Sequence, residues 1–212
     1  METLSQAQVD TVVLTMADVA IQNEAHFSEL DGVMGDADFG VSLAAGFKVV
    51  KANWASFDHS SIGSALLDVS KAITANTGGT SGPVWGTLFM RTGLAFRGRT
   101  ELTLTDIVTG LRSAIEGIMK RGGAQLGDKT LVDALDAIAT SLADSDASGQ
   151  GTLLAAFAKA ADAAYAMRET SKGWIAKRGR QANTGERSID TYDPGIVAVG
   201  DMAQAIVTAL SA

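Results

Sequence analysis

Three aspartates crowd one short segment, Leu30-Asp31-Gly32-Val33-Met34-Gly35-Asp36-Ala37-Asp38-Phe39-Gly40. Like charges held this close repel one another, and a hard divalent cation with oxygen ligands compensates them. On one regular helix the three would not share a face. On a glycine-bent loop they converge, with Gly32, Gly35 and Gly40 expected to supply bends of positive φ. Asp31, Asp36 and Asp38, completed by phosphate oxygens, make an octahedral magnesium shell. The competing reading is a solvated acidic loop with helix caps at Asp31 and Asp38. A calcium EF-hand is a poor fit, because its twelve-residue ligand pattern and terminal glutamate are missing.

Two further segments carry chemistry suited to phosphate. In Asn76-Thr77-Gly78-Gly79-Thr80-Ser81-Gly82-Pro83, small residues let backbone N–H groups of Gly78 and Gly79 approach an anion. The helix start that follows adds a favourable dipole, and Thr80 and Ser81 add hydroxyls. The same pattern also reads as a glycine C-cap before a proline-started helix. It is not a P-loop, since no Gly-Lys-Ser/Thr ends it. In the second segment, Lys177, Arg178, Arg180 and Arg187 cluster in an otherwise acidic chain. Arginine forks match phosphate oxygens, although an exposed basic loop would have the same composition. Within Gly127-Asp128-Lys129-Thr130, Thr130 reads as an N-cap, while Lys129 could meet a phosphate or brace the acidic loop. His26 and His59 belong to no acid–base constellation.

These groups must be held by helices. Apolar residues recur at helical spacing in Val9–Ala20, Leu43–Trp54, Ile62–Ile73, Trp85–Phe96, Ile107–Ile118, Leu131–Leu142, Leu153–Met167 and Val199–Leu210. The reading is all-α, about eight amphipathic helices with no convincing strand, in a single domain spanning 1–212. Ser5 with Gln8 forms a capping-box pattern, and Thr103/Asp106 and Thr130/Asp133 are its carboxylate versions. Pro83 and Pro194 sit where helices would start. The connections 31–40, 77–82, 121–129 and 172–195 are glycine-rich, and the last is long enough to suggest a functional loop or lid.

Composition narrows the class. Hydrophobic residues make up 46% and charged residues 19%, which is globular rather than disordered. The net charge of −7 disfavours a nucleic-acid groove. The absence of cysteine removes disulfides, thiolate nucleophiles and cysteine metal sites. No segment has the apolar length of a membrane span, and the N-terminus carries acids where a signal peptide carries bases. A cytoplasmic protein without membrane or nucleic-acid partners is expected.

Taken in order, the fragments Asp31 with Gly35–Gly40, Gly78–Pro83, Gly127–Thr130, Gly179-Arg180, Gly185–Ser188 and Asp193-Pro194-Gly195 resemble the nucleotide-binding L subunit (or L domain) of the dihydroxyacetone kinases. The resemblance runs from Leu30 to Gly195. Each fragment is weak alone, but six in order are specific. It departs from the family pattern at Ala37, which replaces a glycine, at Phe39, and in segments 181–184 and 190–192.

The resemblance implies a barrel of eight antiparallel helices with ADP or ATP at one end. Asp31, Asp36 and Asp38 would hold magnesium, two ions in all, against the nucleotide phosphates. Gly78, Gly79, Thr80 and Ser81 would cradle those phosphates, with Lys129 as a further candidate. Arg180 would face the transferred phosphoryl group, with Arg178 in reserve, and Asp193, Pro194 and Gly195 would lie near adenine or ribose. The resemblance also implies a separate K subunit that holds the ketose. The phosphoryl donor would be ATP or a phosphotransferase-system phosphocarrier, and a homodimer is compatible. The rivals are a non-catalytic regulator on the same barrel and a stand-alone nucleotide hydrolase.

Overall fold

The capping pairs legible in the sequence start helices where expected. In the computed structural model, which describes residues 2–149 and 151–212, Ser5/Gln8, Thr103/Asp106 and Thr130/Asp133 all close reciprocal capping boxes. Such caps satisfy N–H groups that the helix cannot, at about 1 kcal/mol each. Among the described residues there are nine α-helices: α1 (Gln6–Gln22), α2 (Glu24–Met34), α3 (Phe39–Asn53), α4 (Ile62–Asn76), α5 (Ser81–Ala95), α6 (Leu104–Gly122), α7 (Leu131–Ser148), α8 (Leu153–Lys172) and α9 (Pro194–Leu210).

Eight of them form a closed ring. Helices α3 to α9 pack each on the next, and α1 closes the ring by touching both α3 and α9. Their apolar stripes meet inside, where Phe47 contacts Trp85 and Phe89 edge-on. The ring encloses an apolar cavity of ≈ 220 Å³, bordered by Val13, Leu88, Phe89, Leu111, Ile138 and Met202 among others.

The additional helix, α2, escapes the periodicity reading. It is short, its N-cap Asn23 makes no side-chain cap bond, and its inward stripe is broken by a buried carboxylate, Asp31. It lies against α3 and α9 rather than within the ring. A second difference is one two-residue antiparallel pairing, β1 (Leu4–Ser5) with β2 (Glu101–Leu102), too short to leave a period of two.

The connections alternate between the two ends of the ring. At one end Ser5 pairs with Glu101, the Leu153 N–H donates to Glu2, and His59 faces Asp10. The other end gathers α2–α3, α4–α5, α6–α7 and α8–α9, so neighbouring ring helices run antiparallel. Every segment with phosphate or metal chemistry sits there. The 172–195 stretch is built rather than loose, with Arg180–Ser188 wound into 3₁₀ turns kinked at Gly185. No helix among the described residues is long and apolar enough to cross a membrane.

Candidate active site

Asp31 lies in the last turn of α2, not on a loop. Its Oδ2 accepts the N–H groups of Asp38 (3.0 Å) and Phe39 (3.3 Å), the first donors of α3. Asp38 occupies the N-cap position of α3, yet its side chain caps nothing. Capping is thus delegated to the preceding helix, and Asp36 and Asp38 keep their oxygens for other work. One oxygen from each of Asp31, Asp36 and Asp38 falls within 4.8 Å of the other two.

The bends come from other residues than expected. Gly35 has φ −120°, and Gly32 and Gly40 are also outside the positive-φ region. Gly40 is small because α3 starts against α2: a Cβ there would collide with the Glu24 carbonyl and Ser28. Gly35 makes room for the Asp31 carboxylate in the same way. The positive φ falls on Ala37, at 62°. A methyl-bearing residue is strained there, so Ala37→Gly should stabilise the fold by about 1 kcal/mol. Thermal unfolding reads this directly, and an unchanged or lower Tm would contradict the strained turn.

A cation faces the cluster. Arg180 Nη2 stands 2.8 Å from Asp36 Oδ2. Burial, then the neighbouring Asp36 and Asp31 charges, push the Asp38 carboxyl above its ordinary value, and Arg180 partly offsets them. Three converging carboxylates opposed by one guanidinium suit a hard divalent ion, so the donor set fits magnesium.

The glycine-rich turn between α4 and α5 borders this cluster. A Cβ on Gly78 would press on Ser42 Oγ, and the Ser42 N–H bonds the Asp38 carbonyl. Gly79 has φ 59°, and its face opens on free space. Thr80 is the N-cap of α5 without a side-chain cap bond, leaving the early N–H groups of α5 available to an anion. Pro83 sits within that first turn, where its missing N–H costs nothing.

Other candidates are placed elsewhere. Lys129 does not reach the acidic cluster. Its buried ammonium donates to the carbonyls of Lys172, Trp174 and Ser188, and burial lowers its pKa. Arg178, the reserve cation, gives its Nε to Asp128 Oδ2 at 2.9 Å. Burial pushes the Asp128 carboxyl up, but the Gln125 N–H and Arg178 outweigh it and hold it below its usual value. Both residues brace the basic loop, which the sequence could not distinguish from meeting a phosphate.

Asp193 caps α9 through the Ile196 N–H (2.8 Å), with Pro194 at the first helical position. Pro194 and Gly195 are buried, Gly195 closely against Leu131. Burial raises the Asp193 carboxyl to about 7, against the opposing pull of the Ile196 N–H and Lys129. A raised carboxyl makes folding less favourable as pH climbs from about 4 to about 7, because the unfolded chain ionises first. Asp193→Asn, which keeps the cap, should therefore gain stability over the native chain through that window, by up to about 4 kcal/mol. Chemical denaturation at pH 5 and pH 8 measures the difference, and equal gains at both would contradict the raised Asp193 carboxyl.

Residues 33–208 match the DAK2 domain. The chain belongs to that family. Among curated relatives of the DAK2 domain, the PEP-dependent dihydroxyacetone kinase, ADP-binding subunit DhaL of Escherichia coli is 31% identical over 206 residues, 97% of this chain and 98% of that protein. The L-erythrulose 1-kinase of Mycolicibacterium smegmatis is 30% identical over 92% of this chain but only 34% of its own length. In structure, the DAK2 domain superposes on part of the dihydroxyacetone kinase of C. freundii with TM-score 0.75 at 24% identity, covering 95% of this chain and 34% of that one. A second structure of that kinase, in complex with AMP-PNP and Mg2+, gives TM-score 0.67. The eight-helix ring is therefore a DAK2 fold, occurring both as a separate chain and as about a third of longer kinases.

Sequence reasoning missed two structural participants at this end of the DAK2 domain. Gln181, buried beside Arg180, places its Nε2 3.5 Å from Asp193 Oδ2. Ser188, also buried, accepts the Ala176 N–H on its Oγ. Ser188 lies within a motif fragment, and Gln181 only follows one, in a segment that departs from the family pattern.

Proposed function

We propose that this chain is the nucleotide-carrying subunit of a dihydroxyacetone or related short-ketose kinase, transferring a phosphoryl group from a magnesium-bound nucleotide to a ketose held on a separate K subunit. The observation that carries this reading is the convergence of Asp31, Asp36 and Asp38 under Arg180, beside an uncapped helix start. The ADP-binding name of the E. coli relative and the AMP-PNP and Mg2+ of the C. freundii complex support it.

In this reading Asp31, Asp36 and Asp38 hold magnesium, which when bound neutralises charge on the phosphate oxygens. The backbone at Gly78 and Gly79 and the N-terminal N–H groups of α5 orient the phosphates, with Thr80 and Ser81 hydroxyls alongside. Arg180 leaves Asp36 for the phosphoryl group in flight and stabilises its equatorial oxygens. None of these residues is a general base, and a loose phosphoryl transfer asks mainly for positioning and charge. The exposed apolar residues Val33, Val41, Leu126, Ile175 and Ile189 all lie at this end of the ring and offer the K subunit a contact rim. The PEP-dependent name of the E. coli relative favours a retained ADP recharged by a phosphotransferase-system carrier over freely exchanging ATP.

Phosphoryl transfer to a panel of short ketoses, with candidate K subunits and either ATP or phosphoenolpyruvate plus carrier proteins, tests the proposal. Ketose phosphate formed only when both subunits are present supports it. Association with a K subunit without transfer would favour a regulator, and phosphate release without ketose a hydrolase.

A further inference from the structure

Lys129 is 1% exposed, in a part of the fold where every other cation reaches solvent. An ammonium has three hydrogens, and here each has a backbone carbonyl: Ser188 at 2.7 Å, Trp174 at 3.2 Å and Lys172 at 3.3 Å. None is left for a ligand. The three carbonyls belong to the two feet of one loop, Lys172 and Trp174 where the chain leaves α8, and Ser188 where it returns towards α9. The feet are also joined directly, Asp190 N–H to the Lys172 carbonyl (2.8 Å) and Ala176 N–H to Ser188 Oγ (2.9 Å).

Asp128, the preceding residue, grips the rising limb of the same loop. Its carbonyl accepts the Lys177 N–H (3.1 Å) and its carboxylate accepts Arg178 Nε. Beyond these ties the loop projects Arg180, whose side chain is 67% exposed and rests on Asp36. Lys129 itself has φ 62°, a backbone shape that lysine adopts only at a cost. That cost and the burial of an ammonium are both offset by closing the base of the loop.

We propose that Lys129 is a positioning residue for phosphoryl transfer, tying the feet of the 173–189 loop so that Arg180 is held over the acidic cluster. The catalytic half of this rests on the kinase reading above; the clamp does not. Without the tie, the backbone between Lys172 and Ser188 loses its shared anchor and Arg180 samples positions away from the phosphoryl group, which costs rate more than binding.

The experiment uses the full chain with Lys129→Met, which keeps the buried stem and removes the ammonium. Brief trypsin treatment well below the unfolding temperature should cleave after Arg178, Arg180 or Arg187 at least about tenfold faster than in the native chain. With a K subunit, kcat should fall about thirtyfold or more while the dissociation constant for magnesium ADP stays within about threefold. Ser188→Ala, which loosens the same feet without touching Lys129, should show the same split at smaller size, and it carries the test if Lys129→Met does not fold. A merely structural role would lower the unfolding temperature and leave kcat per folded molecule unchanged. Native-like kcat and loop protection in Lys129→Met would overturn the proposal. So would a loss of magnesium ADP affinity in step with kcat, which would put Lys129 on the nucleotide. A native chain inactive with every K subunit would instead sink the kinase reading, and the cleavage pattern alone would then decide the clamp.

Discussion

Asp36→Asn weakens binding of magnesium ADP by about a hundredfold or more, roughly 2.7 kcal/mol, and leaves the helical far-UV signal intact. The asymmetry follows from where the three carboxylates stand. Asp31 has a second duty, since its Oδ2 holds the first two N–H groups of α3, so its loss would disturb the fold as well as the site. Asp36 holds no helix N–H group: it lies between α2 and α3, and its cationic partner is Arg180. Replacing it by the isosteric amide removes a negative charge and one hard oxygen donor and little else. Calorimetric titration with ADP, with and without magnesium, checks this. A magnesium dependence equal to that of the native chain would remove Asp36 from the site.

Arg180→Ala lowers the rate of phosphoryl transfer by about a thousandfold, near 4 kcal/mol of barrier, with little change in nucleotide affinity. The Arg180 guanidinium rests on Asp36 with its side chain 67% exposed. In the proposed reading, neutralising the cluster's charge would release it towards the phosphoryl group. Removing it should therefore leave magnesium binding in the absence of nucleotide unchanged or a few-fold tighter, because a competitor for Asp36 is gone. Arg180→Lys should recover only part of the rate, since a point charge cannot fork across two phosphate oxygens. Single-turnover transfer with a K subunit separates chemistry from binding. A variant that keeps its rate but loses affinity would make Arg180 a ground-state contact instead.

The ring was legible because its eight helices bury long stripes at a period the chain repeats, and three of them begin at capping boxes that the sequence spells out. Helix α2 was not, because the residue that should continue its stripe is Asp31, a buried carboxylate that accepts the first N–H groups of α3. The convergence of the three aspartates was one of two readings left open, against a solvated loop with caps, and the way it is achieved was not legible. Glycines taken for bends are spaces for close approach, and the one left-handed residue of the turn is an alanine. Basic residues were the least decipherable. Arg178, Arg180 and Lys129 have the same charge and sit in or beside suggestive fragments, yet one faces the cluster and two brace the loop that presents it. That distinction depends on contacts across about 50 residues of sequence, which no local pattern encodes.

The most direct measurement is the phosphorus hyperfine coupling of Mn2+, substituting for magnesium, in pulsed electron paramagnetic resonance of the chain with ADP. Carboxylates that clamp a cation onto a diphosphate predict strong couplings from phosphate oxygens bound to the metal, lost in Asp36→Asn. A spectrum matching hydrated Mn2+, together with ADP binding that ignores the ion, would contradict the account at its root.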